Sequence, residues 1–272
     1  MWSRGISLVC VCAVNVALIA SVANSAIVEQ WTFNEGIGTT VASSGAWHTP
    51  GRILANVSNP AWVSTPGGSG LQFGGAAAGG FVYLDNTYDP TIWGGGAAAS
   101  VTAMTIEAWV KIPNYSPAGD YAAVISHPIS GGNNSLALKL YEGTPIHYSN
   151  IWGATPQMSQ NAWHLVTYVA EGIGTGRERM YLDGVQIPNA WANQPSAWRG
   201  LLYSSHDVTI GADASGSKEY FTGVIDEITM HNVALSPTEV ASRYAAGPVP
   251  EPATMFLLGI GAIGVALRRK NR

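Results

Sequence analysis

The sequence is poor in cysteine. Of its 272 residues only 2 are cysteines, Cys10 and Cys12, and both lie in the apolar N-terminal stretch. If that stretch is removed, no disulfide, cysteine-bound metal or thiol nucleophile can form. An exported protein without disulfides depends for its stability on its hydrophobic core or on a hard cation.

Charged residues are also scarce, at 11% of the sequence. Lysine and arginine are least frequent in the central part of the chain, between the N-terminal and C-terminal segments. Setting aside residues 1–25 and 247–272 leaves 8 basic and 16 acidic residues, a formal charge of about −8. An acidic surface repels phosphate, and no cluster of lysine and arginine remains outside the C-terminus. Nucleic acid is therefore excluded as an expected partner.

Glycine and proline are abundant, at 32 and 15 residues, and 47% of residues are hydrophobic. This composition favours a turn-rich β protein over a helical one. The length accommodates one large domain, and all-β sandwiches commonly reach it. We predict a single domain over residues 26–246.

The N-terminal 25 residues have the pattern of a signal peptide. Arg4 gives a positive start, residues 6–22 are almost continuously apolar, and small residues follow from Ser21 to Ala26. This order predicts export with cleavage between Ala23 and Ala26. An uncleaved membrane anchor is the alternative.

The C-terminal residues 247–272 form a second targeting segment. They contain Val249-Pro250-Glu251-Pro252, an apolar run from 254 to 267 that predicts a hydrophobic helix, and a basic cluster from 268 to 272. The order resembles the PEP-CTERM sorting signal of Gram-negative bacteria. The resemblance implies processing by an exosortase-type membrane enzyme, after transient anchoring, and a place at the cell surface or in the extracellular matrix. An ordinary tail anchor is the alternative.

Between these ends, alternating segments predict β-strands. The clearest are residues 104–112 and 220–231, where apolar and polar residues alternate and β-formers dominate. Residues 27–33 predict a strand with Trp31 and Phe33 facing the core, and Asp183-Gly184 predicts a two-residue hairpin turn. Ser236, Pro237 and Glu239 predict a capped helix that ends before Gly247.

The strand before this helix resembles the closing signature of laminin-G-like, concanavalin A-type domains. The matching residues are Phe221, Gly223, Ile225, Asp226, Glu227, Ala234, Leu235, Ser236 and Glu239. Weaker matches extend over residues 28–244, including a paired strand unit at 70–75 and 81–84. The resemblance implies a two-sheet antiparallel jelly-roll sandwich with a short closing helix.

Catalysis by known chemistry of this fold finds little support in the sequence. A retaining glucanase needs two carboxylates about 5 Å apart, and the related enzymes arrange them as E-x-D-x-x-E, which is absent here. Asp226 and Glu227 are adjacent and are expected on opposite faces of a strand. His164 and Tyr168 share a face and leave a lyase open, but we favour packing for His164, because the fold alone accounts for it.

Six tryptophans in segments predicted to be loops are candidate carbohydrate-binding residues. A flat indole can stack on a sugar ring while its N–H bonds a hydroxyl. The alternative is that these rings pack the ends of the sandwich. The candidates are Trp47, Trp62, Trp93, Trp152, Trp191 and Trp198.

A structural calcium ion is implied by the family resemblance. Members of this superfamily often bind Ca²⁺ at a sheet edge, which points to Asp226 and to Glu35 in the first turn. Oxygen ligands of this kind suit a cysteine-free exported domain. The alternative is that both carboxylates accept backbone N–H bonds in turns.

Together these observations predict a non-catalytic, exported protein that binds a polysaccharide or glycoconjugate. A purely structural or protein-binding surface module is the alternative of a different class. A glycan hydrolase or lyase is the third hypothesis.

Overall fold

A computed structural model describes residues 27–54, 60–84, 101–116, 120–129, 133–147, 156–175, 177–188, 200–201, 208–213 and 218–248. The predicted signal peptide and the sequence from Val249 onward, including the apolar run, lie outside these ranges. Within them, no helix is both long enough and apolar enough to cross a membrane.

Sheet A has eight antiparallel strands. They are β1 (Ile27–Trp31), β4 (Ala61–Thr65), β5 (Gly68–Gly74), β7 (Met104–Lys111), β11 (Trp163–Ala170), β12 (Glu178–Leu182), β13 (Val185–Ile187) and β15 (Thr222–His231). Their order is β13-β12-β11-β7-β15-β5-β4, and β1 pairs with β15.

Sheet B has seven antiparallel strands. They are β2 (Thr40–Val41), β3 (Gly51–Leu54), β6 (Phe81–Leu84), β8 (Tyr121–Ile129), β9 (Asn133–Tyr141), β10 (Thr144–His147) and β14 (Thr209–Ile210). Their order is β10-β9-β8-β14-β6-β3-β2. The all-β, two-sheet antiparallel sandwich predicted from the sequence is confirmed.

The hydrophobic core lies between the sheets. On β7, Ile106, Ala108 and Val110 are all fully buried in it, because alternate residues of a strand point to one face. Trp31 and Phe33 are also fully buried there, as predicted. Burying a large apolar side chain contributes about 1.5–3 kcal/mol, so this core can hold the sandwich without disulfides.

The predicted pairing of segments 70–75 and 81–84 is wrong. Segment 70–75 lies mainly in β5 of sheet A, whereas β6 belongs to sheet B. Between them a one-turn helix, α1 (Gly75–Ala78), and two glycines with positive φ, Gly79 and Gly80, redirect the chain. The predicted loop at Trp62 is also wrong, because Trp62 lies in strand β4.

Strand β15 carries a β-bulge that the alternation of its residues does not predict. Ile225 pairs with Val110 and Ile228 with Ala108, so Asp226 and Glu227 together oppose one residue of β7. A bulge breaks the two-residue alternation. The expectation that these two carboxylates point to opposite faces therefore does not hold.

The second helix, α2 (Pro237–Ala246), closes the fold over the outer face of sheet A. Its predicted capping box is confirmed, since Ser236 accepts from the Glu239 N–H and the Glu239 carboxylate accepts from the Ser236 N–H. The Tyr244 ring stacks on Trp109 of β7 at a centroid distance of 5.8 Å. Trp109 thus packs beneath the helix and not between the sheets.

Candidate ligand-binding cleft

A cleft of about 570 Å³ opens where the end of β7, the start of β8 and the segment before β15 meet. Its volume is in the range of small-ligand sites. Three tyrosines, Tyr115, Tyr121 and Tyr220, supply rings to its lining, whereas Ile112 and Leu140 make up part of its apolar floor. Its polar lining residues are Asn114, Ser116, Asp120, Lys218, Glu219 and Thr222.

Two of the tyrosine rings are held in place. Tyr115 is 37% exposed, and its hydroxyl donates to the Met158 carbonyl at 3.1 Å. Its ring lies so close to Gly143 that a Cβ at that glycine would clash with it. Tyr121 packs on Tyr141 with 5.2 Å between ring centroids. The rings therefore lose little freedom when a ligand binds, which favours affinity.

A buried lysine supports the charged side of the cleft. Lys139 is fully buried, and its Nζ lies 2.5 Å from Glu219 Oε2 and 2.6 Å from Asp213 Oδ2. The Ser126 hydroxyl also donates to Asp213. Burial raises the pKa of Glu219, although the Lys139 charge opposes the rise. Glu219 is thus a fixed carboxyl group at the wall of the cleft.

Neither of the two predicted tryptophans that lie in the described residues lines this cleft. Trp47 is 6% exposed and belongs to the core, so its ring offers little surface to a ligand. Trp62 is partly buried against the core, and its Nε1–H donates to the Gly38 carbonyl at 2.8 Å. Trp93, Trp152, Trp191 and Trp198 lie outside the described residues, and stacking by them stays a prediction.

The tyrosines escaped notice because they are far apart in the sequence. Tyr115 and Tyr121 do flank a sequence with proline, glycine and aspartate, which predicts a surface loop bordered by aromatic residues. Tyr220 joins them only through the packing of the strand that follows it. Residue spacing alone could not have brought it there.

The two predicted calcium ligands lie in different settings. Asp226 is 2% exposed, its Oδ2 has no hydrogen-bond partner, and burial, with a further rise from Glu227, raises its pKa to about 7. Glu35 accepts from the Ala42 N–H at 2.7 Å through one oxygen, and its other oxygen is buried without a hydrogen bond. Both carboxylates therefore retain a free oxygen.

The surroundings partly fit a cation. The turn with Asn34 is fastened to the β4–β5 hairpin, since Ser69 N–H donates to the Asn34 side chain at 3.3 Å and Ser69 Oγ to the Phe33 carbonyl at 2.9 Å. The Gly67 N–H of the same hairpin interacts with Asp226. Across the described part of the chain, no three acidic or histidine side chains converge as a metal cluster, so backbone oxygens would have to complete the site.

The side chains weighed for a lyase do not form an accessible pair. Tyr168 is fully buried, and its hydroxyl donates to Glu178 at 2.9 Å. Its burial raises its pKa well above the ordinary value, which disfavours a tyrosinate base. Glu178 begins β12 and is itself buried.

Sequence comparison identifies the family. A laminin G-type profile of the concanavalin A-like lectin/glucanases superfamily matches residues 85–241, and a PEP-CTERM protein-sorting profile matches residues 248–270. The chain belongs to this superfamily, and it carries a sorting motif that marks an exported protein. No curated protein is detectably similar to it in sequence.

Solved structures share the fold at low identity. A Trypanosoma rangeli sialidase mutant with trans-sialidase activity superposes with a TM-score of 0.59 at 13% identity, covering 85% of this chain and 35% of that one. Domain 4 of an extracellular arabinanase from Geobacillus stearothermophilus, in complex with arabinotriose, gives 0.55 at 15%, covering 79% and 97%. This chain therefore spans about a third of the sialidase and nearly all of the arabinanase domain.

A third similar structure is the binding domain of botulinum neurotoxin DC, in complex with rat synaptotagmin II. It superposes with a TM-score of 0.52 at 10% identity, covering 82% of this chain and 52% of that one. Identities this low establish the sandwich fold and nothing about ligands.

Proposed function

We propose that this protein is an exported carbohydrate-binding protein of the cell envelope and that the tyrosine-lined cleft is its glycan site. The observation that carries the proposal is the presence, in one cleft, of fixed aromatic rings beside carboxyl, amide and hydroxyl groups. The arabinanase domain in complex with arabinotriose has the same fold, so the fold is compatible with a glycan site.

The chemistry of the cleft suits a sugar. The exposed face of Tyr115 can stack on the apolar C–H face of a pyranose or furanose ring. Asn114 and Glu219 can then bond hydroxyl groups, and a hydrogen bond to a charged group is worth about 1.5–3 kcal/mol. The formal charge of about −8 outside the two ends favours neutral or cationic glycans over polyanions.

The sorting motif supports a location at the cell surface or in the extracellular matrix. An exosortase-type enzyme of a Gram-negative bacterium would cut near Pro250-Glu251-Pro252, after the apolar segment had anchored the chain in the membrane. In the structure α2 ends at Ala246, so the motif follows the folded sandwich directly.

Calorimetric titration with a panel of neutral oligosaccharides tests the glycan site. We expect saturable binding by the wild type and roughly tenfold weaker binding, about 1.4 kcal/mol, by Tyr115→Ala. Tyr244→Ala is the matched control, because Tyr244 is similarly exposed, at 39%, and stacks on Trp109 under α2. No saturable binding to any glycan would favour a structural or protein-binding module instead.

A structural Ca²⁺ bound by Asp226, with Glu35 and backbone oxygens of the Asn34 turn, is the second part of the proposal. The fold raises the pKa of Asp226 from 3.8 to about 7, so the unfolded chain loses this proton before the folded protein does. The free energy of unfolding therefore falls as pH rises from about 4 to 7. The full cost above pH 7 is on the order of 4 kcal/mol. A bound cation would offset it.

Thermal unfolding of wild type and Asp226→Asn at pH 8 separates the two explanations of Asp226. Without Ca²⁺ the variant should be the more stable protein, because it removes a buried charge. With Ca²⁺ the order should reverse. If Ca²⁺ leaves both melting temperatures unchanged, no calcium site exists at Asp226.

A further inference from the structure

A serine, a histidine and an aspartate form a hydrogen-bonded chain at the end of sheet A. Ser159 Oγ lies 2.9 Å from His164 Nε2, and His164 Nδ1 lies 2.7 Å from Asp183 Oδ2. The other Asp183 oxygen accepts from the Leu165 N–H at 3.0 Å, which fixes the carboxylate. These contacts have the order and distances of a serine nucleophile with its base and the group that orients the base.

The three residues differ in solvent exposure as a nucleophile and its base require, with the serine exposed and the histidine buried. Ser159 is an exposed residue, so a substrate can reach the turn that carries it. His164 is only 8% exposed, and Asp183 sits in the two-residue turn of the β12–β13 hairpin, where Asp183 and Gly184 both have positive φ. The histidine is thus shielded and oriented from behind, while the serine lies on an exposed turn.

The turn that carries Ser159 is attached to the wall of the cleft. Its Met158 N–H donates to the Gly143 carbonyl at 2.9 Å and its Asn161 N–H to the Ile112 carbonyl at 2.7 Å. Gly143 and Ile112 both line the cleft. Tyr115, which also lines it, donates its hydroxyl hydrogen bond to the Met158 carbonyl of the same turn. A ligand lying on Tyr115 would therefore be close to this turn.

We propose that Ser159 is a nucleophile activated by His164, with Asp183 as positioning residue, and that it cleaves acyl esters carried by a glycan in the adjacent cleft. The Ser159 oxygen bonds to the acyl carbon as its proton passes to His164 Nε2. The alcohol leaves with that proton. Water then attacks the acyl-serine, giving the carboxylic acid and restoring the hydroxyl.

His164 Nε2 can bond either of two Ser159 oxygens, depending on whether the imidazole is protonated. The pKa of His164 is raised, chiefly by the hydrogen bond to Asp183, while burial opposes the rise. Protonated, Nε2–H can donate to the Ser159 carbonyl at 3.1 Å; neutral, Nε2 can accept the Ser159 hydroxyl. Across on β7, His164 pairs with the apolar Val110, and the nearby Lys111 ammonium lies over the Trp163 ring. The reaction should therefore accelerate with rising pH as His164 loses its proton.

The nucleophile is tested with a fluorophosphonate, which needs no glycan. Attack by Ser159 forms an oxygen–phosphorus bond and releases fluoride, and mass spectrometry locates the label. We expect labelling at Ser159 that is lost in Ser159→Ala, is slowed about 100-fold in His164→Asn, and rises with pH through a pKa above 6.5. Ser242→Ala, which removes a serine hydroxyl on α2, should label like the wild type.

Labelling of Ser159 no faster than of Ser242, or unchanged in His164→Asn, would overturn the proposal. If His164→Asn fails to fold, the pH profile of the wild type and the Ser159→Ala variant still decide it. The ester substrate rests on the proposed glycan site, but the label does not. Labelling without glycan binding would refute only the cleft, and glycan binding without labelling only the nucleophile.

Discussion

Two histidine–carboxylate pairs on sheet A have similar bonding and opposite settings. His231 is fully buried, its Nε2 lies 3.1 Å from Glu107 Oε2, and Arg243 of α2 binds the same oxygen. The second ring nitrogen of His231 is buried without a hydrogen bond. His164 bonds Asp183 through one ring nitrogen, and its other nitrogen reaches the exposed Ser159.

The difference shows what location adds to a pair of side chains. The His231 pair lies beneath α2 and connects the helix to the sheet, so we assign it to stability. The His164 pair lies at a sheet end, beside a turn anchored to the cleft, so its chemistry can reach a ligand. A histidine paired with a carboxylate can thus stabilise packing or support a reaction. Which of the two it does depends on its third partner, Arg243 in one pair and Ser159 in the other.

The largest effect is expected from Glu107→Gln. Glutamine keeps an accepting oxygen but removes the negative charge that Arg243 and His231 share, and breaking a buried ion pair costs about 3–5 kcal/mol. Urea unfolding should show a loss of this size with unchanged slope. Arg179→Gln, at a partly exposed ion pair with Glu171, is the control and should cost under about 1 kcal/mol. Equal losses would contradict the structural role of the buried pair.

A smaller effect is expected from Asp183→Asn. The pKa of His164 is raised in the fold, so the pair stabilises the protein below the unfolded pKa of 6.5, and that stability is lost as pH rises through the folded value. The variant should therefore lose about 1–2 kcal/mol at pH 6 and less at pH 9. NMR titration of His164 should show its pKa falling. A stability loss that does not depend on pH would indicate a packing role only.

The smallest effect on stability is expected from Ser159→Ala. Ser159 is an exposed residue on a turn, so the free energy of unfolding should change by no more than about 0.5 kcal/mol. Thermal and urea unfolding both measure this. A loss above about 1.5 kcal/mol would mean that the serine holds the turn in place, and would weaken its assignment as a nucleophile.

The strands and the closing helix could be predicted from the sequence because their signals are local. Alternation over residues 104–112, the Asp183-Gly184 turn and the capping box at Ser236 each depend on a few neighbouring residues. The crossing from β5 to β6 and the bulge at Asp226 could not be predicted, because both depend on how distant strands pair.

The site was harder to predict than the fold. Loop tryptophans were the expected ligands, but Trp47 packs in the core, and the cleft takes its rings from Tyr115, Tyr121 and Tyr220. The sequence favours a packing role for His164. Its contacts with Ser159 and Asp183 form only when the turn at Ser159 and the β12–β13 hairpin fold against it. The composition indicates a protein rich in aromatic and acidic residues, but it does not indicate which of these residues come together in the cleft.

A crystal structure of the protein with the tightest-binding neutral oligosaccharide would test the central claim most directly. We predict a sugar ring stacked on Tyr115 and a sugar hydroxyl within hydrogen-bond distance of Glu219. A glycan bound elsewhere on the sandwich, with the cleft empty, would contradict the assignment of the cleft as the glycan site.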